Sequence, residues 1–355
     1  MKKLFVLILA LASIAVCQAQ RFANEQLSVI LDTDIGSSTD DLFALDLLHK
    51  YMDEGKVNLL AVMIDREGDI SAKITDVFNT WAGHPDIPIG VTHNSVKNPK
   101  VFIDYSLVVT KTERFNKKGE LDPKGTIEKP YFKRTLSDEQ IAQLPEAVKL
   151  YRKILSEQPD RSVVICAIGF LSNLGQLLST EADEISPLTG AELVAKKVKI
   201  MYTQGGVFYS SLEPDYNVLN DIENGRKVYE EWPTPIVFSP MEVGNEIDYR
   251  PKAVLADYAD YDKCPMKTVY AECETDTGQK MWDSNCVLHA VEGNDYYTLS
   301  ASGNIHVTPQ GNTIYNPSPF GDRYYQITNK QQSYALYALM REKAIQAPKK
   351  MILPE

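Results

Sequence analysis

Histidine and cysteine are scarce, with five of each among 355 residues. No CxxC pair and no Cys/His cluster occurs, so nothing here points to a zinc site built from thiolates and imidazoles. Positive charge is also short: 37 Lys and Arg face 48 Asp and Glu, a formal charge of −11. A field of that sign argues against holding a nucleic acid and suits a neutral or cationic small molecule. Beyond the first residues no apolar run is long enough to span a bilayer. Internal repeats, low-complexity tracts and dividing linkers are missing too, so residues 21–355 read as one domain.

Residues 1–20 carry a different signature. Lys2 and Lys3 precede an apolar stretch from Leu4 to Val16, and Cys17-Gln18-Ala19 offers a small residue at a cleavage point. This reads as an export signal, implying a secreted or periplasmic protein. Val16 is a poor residue to precede a lipid-modified cysteine, which disfavours a lipoprotein. In an oxidising compartment Cys264 and Cys273, both in a polar stretch, are candidates to pair. Cys166 and Cys286 lie in apolar or helix-like runs and read as core residues.

Short apolar, β-branched runs recur along the chain. Val29–Leu31, Asn58–Ile64, Ile87–Val91, Ser162–Ile168, Lys197–Tyr202 and Pro235–Phe238 read as strands. Their continuous rather than alternating apolar character suits a parallel sheet covered on both faces. Helices are expected over Asp40–Met52, stopped near Gly55, over Pro145–Gln158 with the proline in its first turn, and over Asp283–Val291 with Asp283 at its cap. The fold class is therefore α/β, a mostly parallel central sheet with helices on both faces, Rossmann-like in layout. Two polar excursions, His93–Arg134 and Ala259–Lys280, interrupt it; the first has one candidate strand, Ser106–Val109, and reads as a rim or lid.

The most informative stretch is Asp32-Thr33-Asp34-Ile35-Gly36 followed by Asp40-Asp41. Two acids close a strand, a glycine allows a turn, and two more acids open a helix. A helix N-terminus favours negative charge by a fraction of a kcal/mol, which accounts for one acid as a cap but not for four within ten residues. Clustered carboxylates need a cationic partner, and a hard divalent ion with oxygen ligands is the simplest. Two chemistries use a strand ending in Asp-x-Asp. One is phosphoryl transfer of the haloacid-dehalogenase type, which usually has Thr or Ser where Gly36 stands. The other is metal-assisted hydrolysis.

Further segments bear on the choice. Asp32–Asp41 resembles the N-terminal signature of the inosine–uridine-preferring nucleoside hydrolases. Gly169-Phe170-Leu171-Ser172-Asn173 resembles that family's Gly-Pro-Leu-Thr-Asn turn. Gln204-Gly205-Gly206 with Pro214-Asp215-Tyr216-Asn217 resembles its Gly-Gly … Glu-Phe-Asn segment, and Trp282-Asp283-Ser284-Asn285 its C-terminal helix start. Gly83–Gly90 is similar as well. The resemblance implies a nucleoside hydrolase-like fold that cleaves the N-glycosidic bond of a nucleoside with a bound Ca²⁺. It implies Asp34 as general base and metal contact, with Asp41, Asp283 and the Ile168 carbonyl as further metal ligands. Asp40, Asn173, Asp215 and Asn217 would meet the ribose. Family members often form dimers or tetramers, so a homodimer or homotetramer is implied.

Three departures stand out. The turn between Gly36 and Asp40 is two residues longer than the commonest pattern, with Ser38 where another Asp is often seen. Asp215 replaces a Glu. Trp282 stands where some members carry the His that protonates the leaving base; His93 and Tyr209 are the candidates to replace it. These departures leave a second reading, a sugar- or nucleoside-binding protein without turnover.

Overall fold

The computed structural model describes residues 26–36, 38–97, 113–115, 121–126, 132–210, 213–261, 263–273 and 279–353. Its strands are β1 (Leu27–Thr33), β2 (Val57–Glu67), β3 (Ile89–Lys97), β4 (Val163–Ala167), β5 (Val198–Gln204), β6 (Ile236–Ser239), β7 (Gly303–Val307), β8 (Thr313–Pro317) and β9 (Arg323–Ile327). They lie side by side in the order β8-β7-β9-β6-β5-β4-β1-β2-β3. From β9 to β3 every neighbouring pair is parallel. At the other edge β7 and β8 run antiparallel, and the short strand Thr298–Leu299 pairs with β9.

The main helices are α1 (Thr39–Asp53), α2 (Asp69–Trp81), α3 (Ala147–Glu157), α4 (Ser172–Leu178), α5 (Tyr216–Asn220), α6 (Ile222–Glu231), α7 (Ser284–Glu292) and α8 (Lys330–Ala344). Alternate strand residues face opposite sides, so each central strand feeds two apolar layers. Val29, Leu31 and Cys166 pack with α1, α2, α7 and α8. Ile30, Ile165 and Ala167 pack with α3, α4 and α6. Burial on both faces is what made these strands read as unbroken apolar runs. Among the described residues no helix is long and apolar enough to cross a membrane.

All six expected strands are present with shifted ends. β2 continues past Ile64 through Asp65 and Arg66, because Arg66 still pairs with Val96 after β3 loops out between Val91 and Val96. The helix expected from Pro145 begins at Ala147 instead: the Pro145 carbonyl accepts the Val91 N–H at 3.0 Å and ties this stretch to the sheet. The excursion Ala259–Lys280 is not simply polar. It holds the helix Pro265–Cys273, whose Met266, Val269 and Tyr270 are buried at helical spacing. That helix also overturns the Cys264–Cys273 pairing. Nine residues of helix separate the two Cα atoms by about 13 Å, beyond the reach of about 7 Å for a disulfide, and Cys264 is a buried free thiol. The candidate strand Ser106–Val109 and the export signal of residues 1–20 lie outside the described residues. The first excursion does contain a hairpin of Glu113–Phe115 with Leu121–Thr126.

Candidate metal centre and active site

The chain lays β1, β2 and β3 outward in one direction, then returns to place β4 on the other side of β1. In a parallel sheet such a reversal opens a crevice beyond the carboxyl ends of the two central strands. Asp32 and Asp34 stand at the end of β1, and Ile168 to Asn173 follow β4 into α4. Gly36, at φ 117°, turns the chain from β1 toward α1, whose first turn carries Asp40 and Asp41.

Asp40 reaches across to the far end of the sequence. Its Oδ2 accepts the backbone N–H groups of Trp282 (3.2 Å) and Asp283 (3.4 Å), and its Oδ1 accepts from Gln279 Nε2 at 3.3 Å and from the Ser38 hydroxyl. These bonds seat the start of α7 against the start of α1. Carboxylate oxygens of Asp40, Asp41 and Asp283 thereby lie within 4.8 Å of one another, all three side chains buried. Asp41 Oδ1 is further held by the Thr33 hydroxyl at 2.6 Å.

Electrostatics show what the triad lacks. Burial, then the charges of Asp34 and Asp40, hold Asp41 well above the usual carboxylate range. Burial, then Asp40, Asp41 and Asp34, do the same to Asp283. Burial pushes Asp40 up to about 6 despite its hydrogen bonds. Among the described residues no basic side chain forms an ion pair with any of the three. Three buried oxygen donors at this spacing suit a hard divalent ion, which would ionise them and offset their repulsion.

Asp34 is placed differently. It is buried beside the triad, and its Oδ2 accepts from Arg66 Nη2 at 2.5 Å. Beneath it lies a second acidic pair. Asp32 accepts from the Tyr151 hydroxyl at 2.7 Å and from Asn173 Nδ2 at 3.3 Å. Burial pushes Asp32 up to about 6, with hydrogen bonds from Asp65, Tyr151 and Asn173 limiting the rise. Burial, then Asp32 and Asp34, keep Asp65 well above the normal range. Space for this pair depends on Gly169: a Cβ there would sit 2.3 Å from the Asp34 amide nitrogen and 2.4 Å from Asp65 Oδ2.

The opposite wall follows β5. Asp215 caps α5, its Oδ1 accepting the N–H groups of Asn217 (3.0 Å) and Val218 (3.4 Å), and burial pushes it up to about 6. Gln204 links Asp215 and Asn217, and Asn217 Nδ2 donates to the Ile168 carbonyl at 3.3 Å. Glu242 Oε1 gathers the N–H groups of Phe208, Tyr209 and Ser210 at 2.6–3.0 Å, which fixes the loop bearing Tyr209. Tyr209 is half exposed, its ring 6.2 Å from Tyr325.

The structure therefore groups Asp40, Asp41 and Asp283, sets Asp34 beside them, and links Asn173, Asp215, Asn217 and Ile168 into the walls of the same crevice. His93 is exposed on β3, in the stretch that loops out toward Asp65 and Ser172, and no hydrogen bond or ion pair joins it to these acids among the described residues. Sequence reasoning missed Asp65 and Arg66. Their signal was a pair of charges directly after an apolar strand, at the same sheet end as the β1 acids.

A sheet of this order, with its acids gathered at the switch point, is the architecture of nucleoside hydrolases. The fold is similar to that of a plant nucleoside hydrolase at a TM-score of 0.64 and 17% identity, covering 90% of this chain and 99% of that one. It is also similar to a purine-preferring ribonucleoside hydrolase from Gardnerella vaginalis (TM-score 0.61, 14% identity, 90% and 99% covered). A third similar structure is the type III effector protein XopQ, solved in complex with adenosine diphosphate ribose (0.59, 12%, 94% and 98%). No curated protein matches the chain. Residues 29–335 match the inosine-uridine preferring nucleoside hydrolase family, and the chain belongs to that family.

Proposed function

We propose that this chain is a Ca²⁺-dependent hydrolase of the N-glycosidic bond of nucleosides, releasing a sugar and a free base. The observation that supports it most is the meeting of Asp40 and Asp41 with Asp283, some 240 residues away, next to Asp34 at the sheet's switch point. Asp41, Asp283 and Asp40 would hold the ion, with Asp34 and the Ile168 carbonyl completing its surroundings. When bound, a divalent ion supplies the Lewis acidity that brings a water's pKa toward neutrality.

The chain's own residues do the rest. Asp34, held by Arg66 through Oδ2, would take the proton of the attacking water. As the glycosidic bond breaks, positive charge develops on the sugar, and the surrounding carboxylates stabilise it in a site shielded from water. Asn173, Asp215 and Asn217 orient the sugar hydroxyls. Tyr209 and Trp282 offer aromatic surface to the base, with the Trp282 indole fixed by its Nε1–H bond to Asn245 at 3.0 Å. An uncharged nucleoside also suits the acidic chain. Residues 1–20 would direct export, which N-terminal sequencing of the mature protein tests.

The test is release of free base from a panel of purine and pyrimidine nucleosides with Ca²⁺ present. Turnover of at least one is expected, and Asp34→Ala should lower it by several powers of ten. Folded protein that cleaves no N-glycoside would refute the proposal. A second reading, binding of a nucleoside or sugar without cleavage, draws on the tie between Asp34 and Arg66, and on the XopQ structure's bound ligand. Calorimetric binding of ribose or a nucleoside without product would select it.

A further inference from the structure

Arg66 is an arginine with no exposed surface at the mouth of an acidic crevice. β2 ends in the sequence Asp65-Arg66-Glu67, just past the last pairing of the two strands, Thr33 with Ile64, and the Arg66 side chain reaches Asp34 from there. The guanidinium is held by an ion pair and by an aromatic ring. Nη2 meets Asp34 Oδ2 at 2.5 Å, and the guanidinium carbon lies 5.1 Å from the ring centroid of buried Phe170, in the range of a cation–π contact. Phe170 is in turn backed by Tyr216, ring centroids 6.1 Å apart.

Resting on the reading above, we propose that Arg66 is a positioning residue with two linked effects. It clamps one oxygen of Asp34, so that this carboxylate serves as a base rather than closing fully around the ion. Its charge, standing close to a divalent cation, also weakens that cation's binding. The chain gives up part of its metal affinity to keep its base aligned. A guanidinium suits this task because it is always charged, planar and weakly hydrated, so it tolerates full burial against an aromatic ring. A residue that only filled space would do neither thing.

The sign of a Ca²⁺ affinity change tests this, read by calorimetry on the full chain without any nucleoside. Removing a like charge near the ion should tighten Ca²⁺ binding about tenfold in Arg66→Gln, while loss of packing alone would weaken it. In the same variant kcat should fall at least about tenfold with KM changed much less, the pattern of an interaction made only in the transition state. Arg66→Lys keeps the charge but not the planar grip, so it should hold Ca²⁺ nearly as the native chain does and recover part of kcat. If Arg66→Gln does not fold, Asp34→Asn and Asp34→Asn/Arg66→Gln decide, since the double variant leaves no unpaired charge at this pair. The double should bind Ca²⁺ more tightly than the single. Equal or weaker binding on loss of the guanidinium overturns the proposal, whether or not any nucleoside is cleaved. A native chain that binds no Ca²⁺ overturns the metal reading and this one together.

Discussion

Helix α1 carries buried acids with two different fates. Near its middle, Asp46 meets Lys50 one turn on at 2.8 Å, both side chains only 2% exposed. The Tyr258 hydroxyl bonds Asp46, and Lys50 also donates to the Ala344 carbonyl at 3.2 Å and lies over the Tyr258 ring. That network is closed within the protein. At the start of the same helix, Asp40 and Asp41 are equally buried, and the residue brought against them is a third acid, Asp283. A structural carboxylate comes with its cation in the sequence. Asp40, Asp41 and Asp283 have no such cation among the described residues, and their raised proton affinity is the mark of that.

The sharpest way to break this contrast is to neutralise one acid of the open set. Asp41→Asn should abolish measurable Ca²⁺ binding by calorimetry and cut nucleoside turnover roughly a thousandfold, with little change in the denaturation midpoint of the ion-free protein. If that variant keeps native Ca²⁺ affinity, the acids are not an ion site and the distinction fails. The closed set should respond the other way. Lys50→Met leaves Asp46 buried without its charge partner and should cost about 3–5 kcal/mol in urea unfolding, with Ca²⁺ affinity within a factor of two in the folded fraction.

Removing the ion is the next test. With Ca²⁺ at a hundred times its dissociation constant the fold should gain about 2.7 kcal/mol over protein in chelator. The increment should depend on pH with a definite sign. Burial pushes Asp40 up to about 6, and burial with the neighbouring acids holds Asp41 and Asp283 well above the usual carboxylate range. The ion-free fold therefore holds these protons more tightly than the unfolded chain does. Their favourable contribution is full below about pH 4 and is lost as pH rises through 6 and beyond. Ca²⁺ requires them ionised, so the gap between melting temperatures with and without it should widen from pH 5 to 8. A gap that narrows over that range would contradict the assignment.

The smallest effect expected is at Asp215, whose carboxylate is mostly occupied with the first N–H groups of α5. Asp215→Ala should cost about 1 kcal/mol in stability as a lost cap and raise KM for a nucleoside more than it lowers kcat. A larger fall in kcat would move Asp215 into the reacting centre.

How much of this could be read from the chain follows from the physics of each part. The central strands were legible because burial on both faces writes itself as unbroken β-branched runs. The β1 acids were legible because four like charges in ten residues have no neutral explanation. Asp65 and Arg66 were not, because their charges ended the apolar run and so ended the expected strand, although β2 goes on to Glu67. Strands β7 to β9 escaped notice for a related reason. β7 alternates buried and exposed residues, and β8 is largely exposed, so neither shows the apolar run of a central strand. The union of Arg66 with Asp34 joins side chains just beyond the last paired residues of β1 and β2, and spacing along one segment carries no record of it. The departure at Asp215 was visible as a missing methylene, but its helix-capping bonds depend on the local turn.

The bridge from Asp40 to the amides of Trp282 and Asp283 has a consequence for how the protein comes to be. During synthesis Asp40 and Asp41 emerge first, and their third companion, Asp283, appears only some 240 residues later. Until that later segment docks, Asp40 and Asp41 stand without it, so high-affinity capture of the proposed ion would wait for that docking. Occupancy then reports that the early and late segments have met, and a chain stalled before that junction would carry the acids without the grip.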